Sequence, residues 1–257
     1  MRFALIASVL LFAAIPCSAA DSAAPEDTHP TAQHPDLSGF WNLDLKVPRD
    51  PQLMGQVAPG TAFIDDTGPA ELPRGNYGGL KLTPAAMEKA KHWDPRAQLT
   101  PQEACRPPSI VYALQGPFPI EIFQSDQFIV MKLEYYDLVR IIFLDDRKPE
   151  ADYPHSPTGF SSGHWEGSTL VVRTDHLEAA TITNNGLDHS ENIEVLERFR
   201  LSDDGKHLLA TQEYSDPAVI ENRGVRFIAW TRQPGQHVYP YECDPGFAGN
   251  YAPSSAK

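Results

Sequence analysis

The chain has 257 residues, with 34 acidic and 21 basic side chains and a formal charge of −13. That balance excludes the basic footprint a nucleic-acid binder needs and offers nothing to an anionic membrane surface. No run beyond the first twenty residues approaches the roughly 18 apolar residues of a membrane span, so neither a nucleic-acid partner nor a span is expected.

Met1-Arg2 supplies a basic start, Phe3 to Ile15 an apolar run, and Ser18-Ala19-Ala20 small residues at the expected cleavage positions. This is the form of a secretory leader over residues 1–20, cleaved before Asp21. It implies a periplasmic or secreted protein whose formal charge, without Arg2, is −14. Cys17 leaves with the leader. Cys105 and Cys243 remain, and an even pair in an exported chain predicts one disulfide. Residues 21–36, rich in Ala, Pro, Asp, Thr and His, predict a disordered spacer. Residues 37–257 show no repeat, heptad or linker and predict a single domain.

In chain order, Ser38–Leu45 predicts an isolated strand able to close a sheet. Residues 47–80 are dense in Pro and Gly and predict a long ordered loop or cover. Thr83 is placed to cap a helix that Pro84 opens and that ends near Lys91 or His92, before Asp94-Pro95. Residues 95–119 are again Pro-rich. From Ile120 the sequence alternates like a β-meander. Phe128–Glu134 and Leu138–Leu144 predict a hairpin across Tyr135-Tyr136-Asp137. His164–Glu166 and Leu170–Thr174 predict another across Gly167-Ser168. Glu191–Leu201 and His207–Tyr214 predict a third, turned by Asp203-Asp204-Gly205, and Gly224–Arg232 a last strand. About eight antiparallel strands with one short helix make an all-β domain, a barrel first and a sandwich second.

Gly39-Phe40-Trp41 resembles the Gly-x-Trp signature of lipocalin-like barrels, which implies a Trp closing the barrel base. Leu37-Ser-Gly-Phe-Trp41, Gly163-His-Trp-Glu-Gly-Ser-Thr-Leu-Val-Val172, His189-Ser-Glu191, Glu197-Arg-Phe-Arg200 and Tyr241-Glu-Cys243 resemble a group of exported bacterial proteins of unassigned function. That resemblance runs through most of the mature chain and implies no catalytic residue.

Two motifs of the form His-x-Glu stand out: His164-Trp165-Glu166 and His189-Ser190-Glu191. In an extended strand, residues i and i+2 share a face. Each motif therefore sets an imidazole beside a carboxylate, the pairing of a general base with its orienting group. Strand parity puts His189, Glu191, Ile193, Val195, Glu197 and Phe199 on one, mainly apolar, face. A carboxylate there must be paired, neutralised or set in a wet cavity. An ion pair with Arg140 or Arg226 is the structural alternative for Glu197. Four candidate catalytic residues follow: His189, Glu191, His164 and Glu166. His155, on the loop entering the second hairpin, could reach the same mouth. Tyr136, in the aromatic group around the first hairpin, and Trp165 are candidate ligand contacts. The His and Glu spacing fits no metal motif, and no phosphate loop, nucleophile elbow or free mature cysteine is present. No metal or other cofactor is expected.

These features describe an exported small-molecule-binding barrel with an acid/base-lined cavity for a mostly apolar ligand, monomeric or weakly dimeric. The alternative is a cofactor-free isomerase, cyclase, lyase or hydrolase using His/Glu proton transfer. A structural envelope protein is the third reading.

Overall fold

The alternation that begins at Ile120 turns one face of each strand inward, and the sheet curls round that face. The computed structural model describes residues 34–65, 71–98, 100–145 and 147–250. The expected leader and nearly all of the expected spacer lie outside the described residues. The elements in chain order are β1 (Gly39–Leu43), α1 (Pro51–Met54), β2 (Ala62–Phe63), α2 (Pro84–Lys91), α3 (Ile110–Ala113), β3 (Ile120–Gln124), β4 (Phe128–Leu133) and β5 (Val139–Phe143). Then follow β6 (Phe160–Glu166), β7 (Thr169–Asp175), β8 (Thr181–Thr183), β9 (Leu187–Asp188), β10 (Glu194–Leu201), β11 (His207–Ser215) and β12 (Gly224–Arg232).

Nine of these strands close into a barrel, in the order β1-β3-β4-β5-β6-β7-β10-β11-β12 and back to β1. Closure gives each of the nine strands a neighbour on both sides, and the sandwich is not the arrangement adopted. Neighbours are antiparallel except β5 and β6, which run parallel over two residue pairs. Ile120–Gln124 supplies the ninth strand, pairing with β1 on one side and β4 on the other. All three expected hairpins form. The third begins later than its sequence suggests, because β10 starts at Glu194 and not at Glu191. Thr83 caps α2 by accepting the Ala86 N–H, with Pro84 in the first turn.

Inward side chains form two apolar cores with a polar layer between them. Trp41, Phe199, Trp230, Leu170, Met131 and Ile120 belong to the first core. Trp41 is fully buried there, donates its indole N–H to Leu37 O at 2.9 Å, and lies under the Arg232 guanidinium. The second core joins Ile110, Val111, Ile182, Leu187, Val195 and Tyr214, so α3 and the small β8–β9 sheet cap the other end. In the layer between, Arg140 pairs with Glu197, and both are almost completely buried. Arg140 also donates to Ser161 Oγ at 2.9 Å and to Thr174 Oγ1 at 2.6 Å. Gln212 donates to Glu197 Oε1 at 3.1 Å and to Ile110 O at 3.2 Å. The core-face carboxylate at 197 is thus neutralised by an ion pair, as burial demands.

Outside the barrel, α1 packs Leu53 against Leu209 and Ala229, which buries both faces of β11. Cys105 and Cys243 form the disulfide, with Cα atoms 5.8 Å apart. At the other terminus the chain is engaged before Leu37, where the spacer was expected to end. Gln124 Nε2 donates to Pro35 O, Arg232 donates to Asp36 O, and the His34 ring stacks on Trp165.

Candidate functional site: a slot on the edge of the last strand

The two His-x-Glu motifs do not share a cavity. On β6, Ser161 faces inward to Arg140, so two-residue parity turns His164 and Glu166 outward. Their side chains touch at 3.2 Å but are 51 % and 59 % exposed. His164 is level with Val171, and Val171 with Arg198 on β10, whereas His189 precedes the start of β10. The motifs therefore sit toward opposite ends of the strands. His189-Ser190-Glu191 also lies in a turn, where i and i+2 need not share a face. His189 is buried and Glu191 is exposed.

His189 has a defined environment. One ring nitrogen, Nδ1, is 2.9 Å from Ser190 O, an acceptor only, so Nδ1 carries the proton and donates. Nε2 then accepts the Ser109 hydroxyl proton at 2.7 Å. Burial is the main influence on its pKa and lowers it, which favours the neutral ring. Asp216 completes the turn by accepting from Ser190 N–H, Ser190 O–H and the Ala218 N–H. This hydroxyl–imidazole pair has the polarity of a nucleophile and its base. Yet Ser109 is 0 % exposed, and neither residue lines the cavity described below. The pair ties α3 to the turn before β10.

The remaining candidates are dispersed. His155 is exposed, its ring 5.3 Å from that of His176. Trp165 is half-buried beneath His34. Tyr136 donates to Ala104 O at 2.9 Å and stacks on Tyr241, beside Tyr135 and Phe118. Burial pushes the phenols of Tyr135, Tyr136 and Tyr241 upward, so all three stay protonated near neutrality. This aromatic group packs around the disulfide end of the chain.

A cavity lies elsewhere, where β12 changes neighbours. Its C-terminal half pairs with β1, and its first residues pair with β2. Asp44 N–H still reaches Ala229 O at 2.8 Å, but Lys46 N–H turns to Asp44 Oδ1 at 2.9 Å, and the β1 segment departs. That hydrogen bond, then one from Thr231, lowers the Asp44 carboxyl pKa. The gap between the two partners is a slot of about 410 Å³, within the usual range for small-molecule sites of roughly 300–1,000 Å³. Leu43 and Val47 line one wall, Phe63 and Ile64 the other, and Phe227 to Ala229 the floor. Arg49 spans the entrance: it pairs with Asp65 and lies over the Phe63 ring, 3.5 Å from its centroid.

At the inner end are two buried polar side chains, Arg226 and Gln115. Arg226 donates to Val111 O at 3.1 Å and to Ile182 O, which anchors α3 and β8 over the barrel. Gln115 is 2 % exposed, yet among the described residues neither its Nε2 nor its Oε1 has a hydrogen-bond partner. Leaving a buried amide unpaired costs about 1–3 kcal/mol per group. Such a group lining a cavity is therefore a binding contact in waiting.

No protein-family model matches the chain, and no curated protein matches it either.

The site must then be read from its own residues. Among the described residues no group of three or more His, Cys, Asp or Glu side chains could hold a metal ion. The cavity lining contains no imidazole. Gln115 gave no signal in the sequence, because a single amide in a Pro-rich segment carries no period or spacing. Only the packing of α3 over the barrel mouth brings it to the slot.

Proposed function

We propose that this protein is an exported small-molecule-binding barrel. Its ligand lies in the slot between β1 and β2, with an apolar body against Leu43, Phe63, Ile64 and Ile228 and one hydrogen-bonding edge on Gln115. The observation that carries this reading is the Gln115 amide, buried at the inner end of the cavity with neither donor nor acceptor paired among the described residues. The size of the slot suits a one- or two-ring molecule, since an apolar cavity of about 150 Å³ already holds benzene. Proton-transfer catalysis finds less support, because neither His-x-Glu motif borders the cavity.

Benzamide is a suitable probe, since it joins an apolar ring to an amide edge complementary to that of glutamine. Titrated into isotope-labelled protein, it should shift the Gln115 side-chain amide and the Ile64 and Ile228 methyl signals. Gln115→Leu should weaken binding several-fold without unfolding the barrel. Shifts confined to other surfaces, or none up to the solubility limit of benzamide, refute the assignment.

A further inference from the structure

The slot also interrupts a ladder of backbone hydrogen bonds. Residues of a strand present their N–H and C=O groups alternately to one edge and the other. Even-numbered residues of β12 face β11: Arg232 N–H donates to Lys206 O at 2.9 Å. Odd-numbered residues face the opposite edge. Ala229 O there accepts from Asp44 N–H at 2.8 Å, Val225 O from Ile64 N–H at 2.9 Å, and Arg223 O from Ala62 N–H at 2.8 Å. Phe227 lies between Val225 and Ala229 on the same edge and lines the slot. Among the described residues neither ladder reaches it, and no other backbone hydrogen bond takes its N–H or C=O on that edge. The β1 segment would have supplied the partner through Lys46, whose N–H is held by Asp44 instead.

We propose that the ligand of this slot is an extended amide, a short peptide or an N-acyl amino compound, that pairs with Phe227 as one added strand residue. The inference rests on the slot being a binding site and names its ligand class. A residue whose N–H and C=O both point outward from a strand edge matches one residue of an extended chain, which donates to the carbonyl and accepts from the amide. From Val225 to Ala229 the strand advances about 13 Å at roughly 3.3 Å per residue, room for one such residue between the β1 and β2 contacts. Leu43, Val47, Phe63 and Ile64 provide apolar contacts for its side chain. The Gln115 amide, which can donate and accept at once, meets a second amide of the same ligand. The mouth carries both charge signs, Asp44 and Asp65 against Lys46 and Arg49, so net ligand charge is not what selects.

The test compares N-acetyl-leucine N-methylamide with O-acetyl-leucic acid N-methylamide, in which oxygen replaces the N–H that would meet Phe227 O. The amide should bind more tightly by roughly 5- to 100-fold, because the ester leaves that carbonyl unpaired in the closed complex. Hydrogen exchange of the Phe227 amide should slow when the amide compound binds. Gln115→Leu should weaken it further. Equal affinities of the two compounds, or unchanged exchange at Phe227, overturn the inference. If neither compound binds while benzamide shifts Gln115, the ladder pairing is wrong and the cavity assignment stands. If benzamide fails as well, both fall.

Discussion

Glu197→Gln should be among the most destabilising conservative changes in this chain. The amide fits the same space and can still accept from Gln212 Nε2, so packing is nearly unchanged. What changes is charge. Arg140 is 1 % exposed, and its other side-chain partners, Ser161 and Thr174, are neutral. Removing one member of a buried pair leaves the other uncompensated, at about 3–5 kcal/mol. In a domain of this size each kcal/mol moves Tm by about 2–4 °C, so a fall of roughly 6–20 °C is expected. Arg140→Met should cost a similar amount. The double change Arg140→Met, Glu197→Leu should come within about 2 kcal/mol of the parent, because well-packed apolar replacements of buried pairs are often neutral and Ser161 and Thr174 already bond each other at 2.9 Å. Urea denaturation with the disulfide intact compares the parent, the two single variants and the double variant. A cost below about 1 kcal/mol for Glu197→Gln, or a double variant as unstable as the sum of the singles, would show that this layer is hydrated and the argument unsound.

Two further outcomes follow from the cap and the termini. Burial holds the His189 pKa below its usual value of about 6.5, so as pH falls the unfolded chain takes up this proton before the folded one. Stability should then drop as pH falls through about 6.5 and level off below the folded pKa; His189→Gln should flatten the difference between denaturation midpoints at pH 7 and pH 5, and an unchanged difference would assign the acid sensitivity to other groups. The disulfide closes a loop of 138 residues in sequence separation, for which the chain-entropy model gives about 5 kcal/mol. The double change Cys105→Ser, Cys243→Ser should therefore lower stability by up to that amount, and a loss under about 1 kcal/mol would mean that the unfolded chain is already constrained there.

Most of the barrel was legible because period-two alternation survives wherever a strand has one buried face. The turns Tyr135-Tyr136-Asp137, Gly167-Ser168 and Asp203-Asp204-Gly205 marked the hairpins, and the parity of Val195, Glu197 and Phe199 located the core face correctly. β3 was harder to see. Its five residues follow Pro117 and Pro119, and the Pro-rich flank hid the strand that β1 and β4 need between them. The strands β2, β8 and β9 have two or three residues each, too few to display a period. The two His-x-Glu motifs share a face only where the backbone is extended. At His164 the backbone is extended but that face is the outer one. At His189 the backbone turns, because Asp216 takes the amide and hydroxyl of Ser190 and holds the bend. The slot was invisible for a different reason. It arises from two short strands that each cover only part of a third, itself distant in sequence from both, and no local pattern records such a shortfall.

The closing seam also constrains how the molecule is made. β1 bonds to β12 through Asn42 and Thr231, near opposite ends of the domain in sequence. A chain emerging from its N-terminus carries β1 almost from the start and must wait for nearly everything else before this strand has both neighbours. Contacts of such long sequence separation demand loop closure before they return any stabilisation, which slows folding. Until then β1 and the growing sheet both present open edges, the surfaces on which strands of other chains add. Joining β1 to β12 is what removes these edges, so the chain stays open to such addition until that seam has formed.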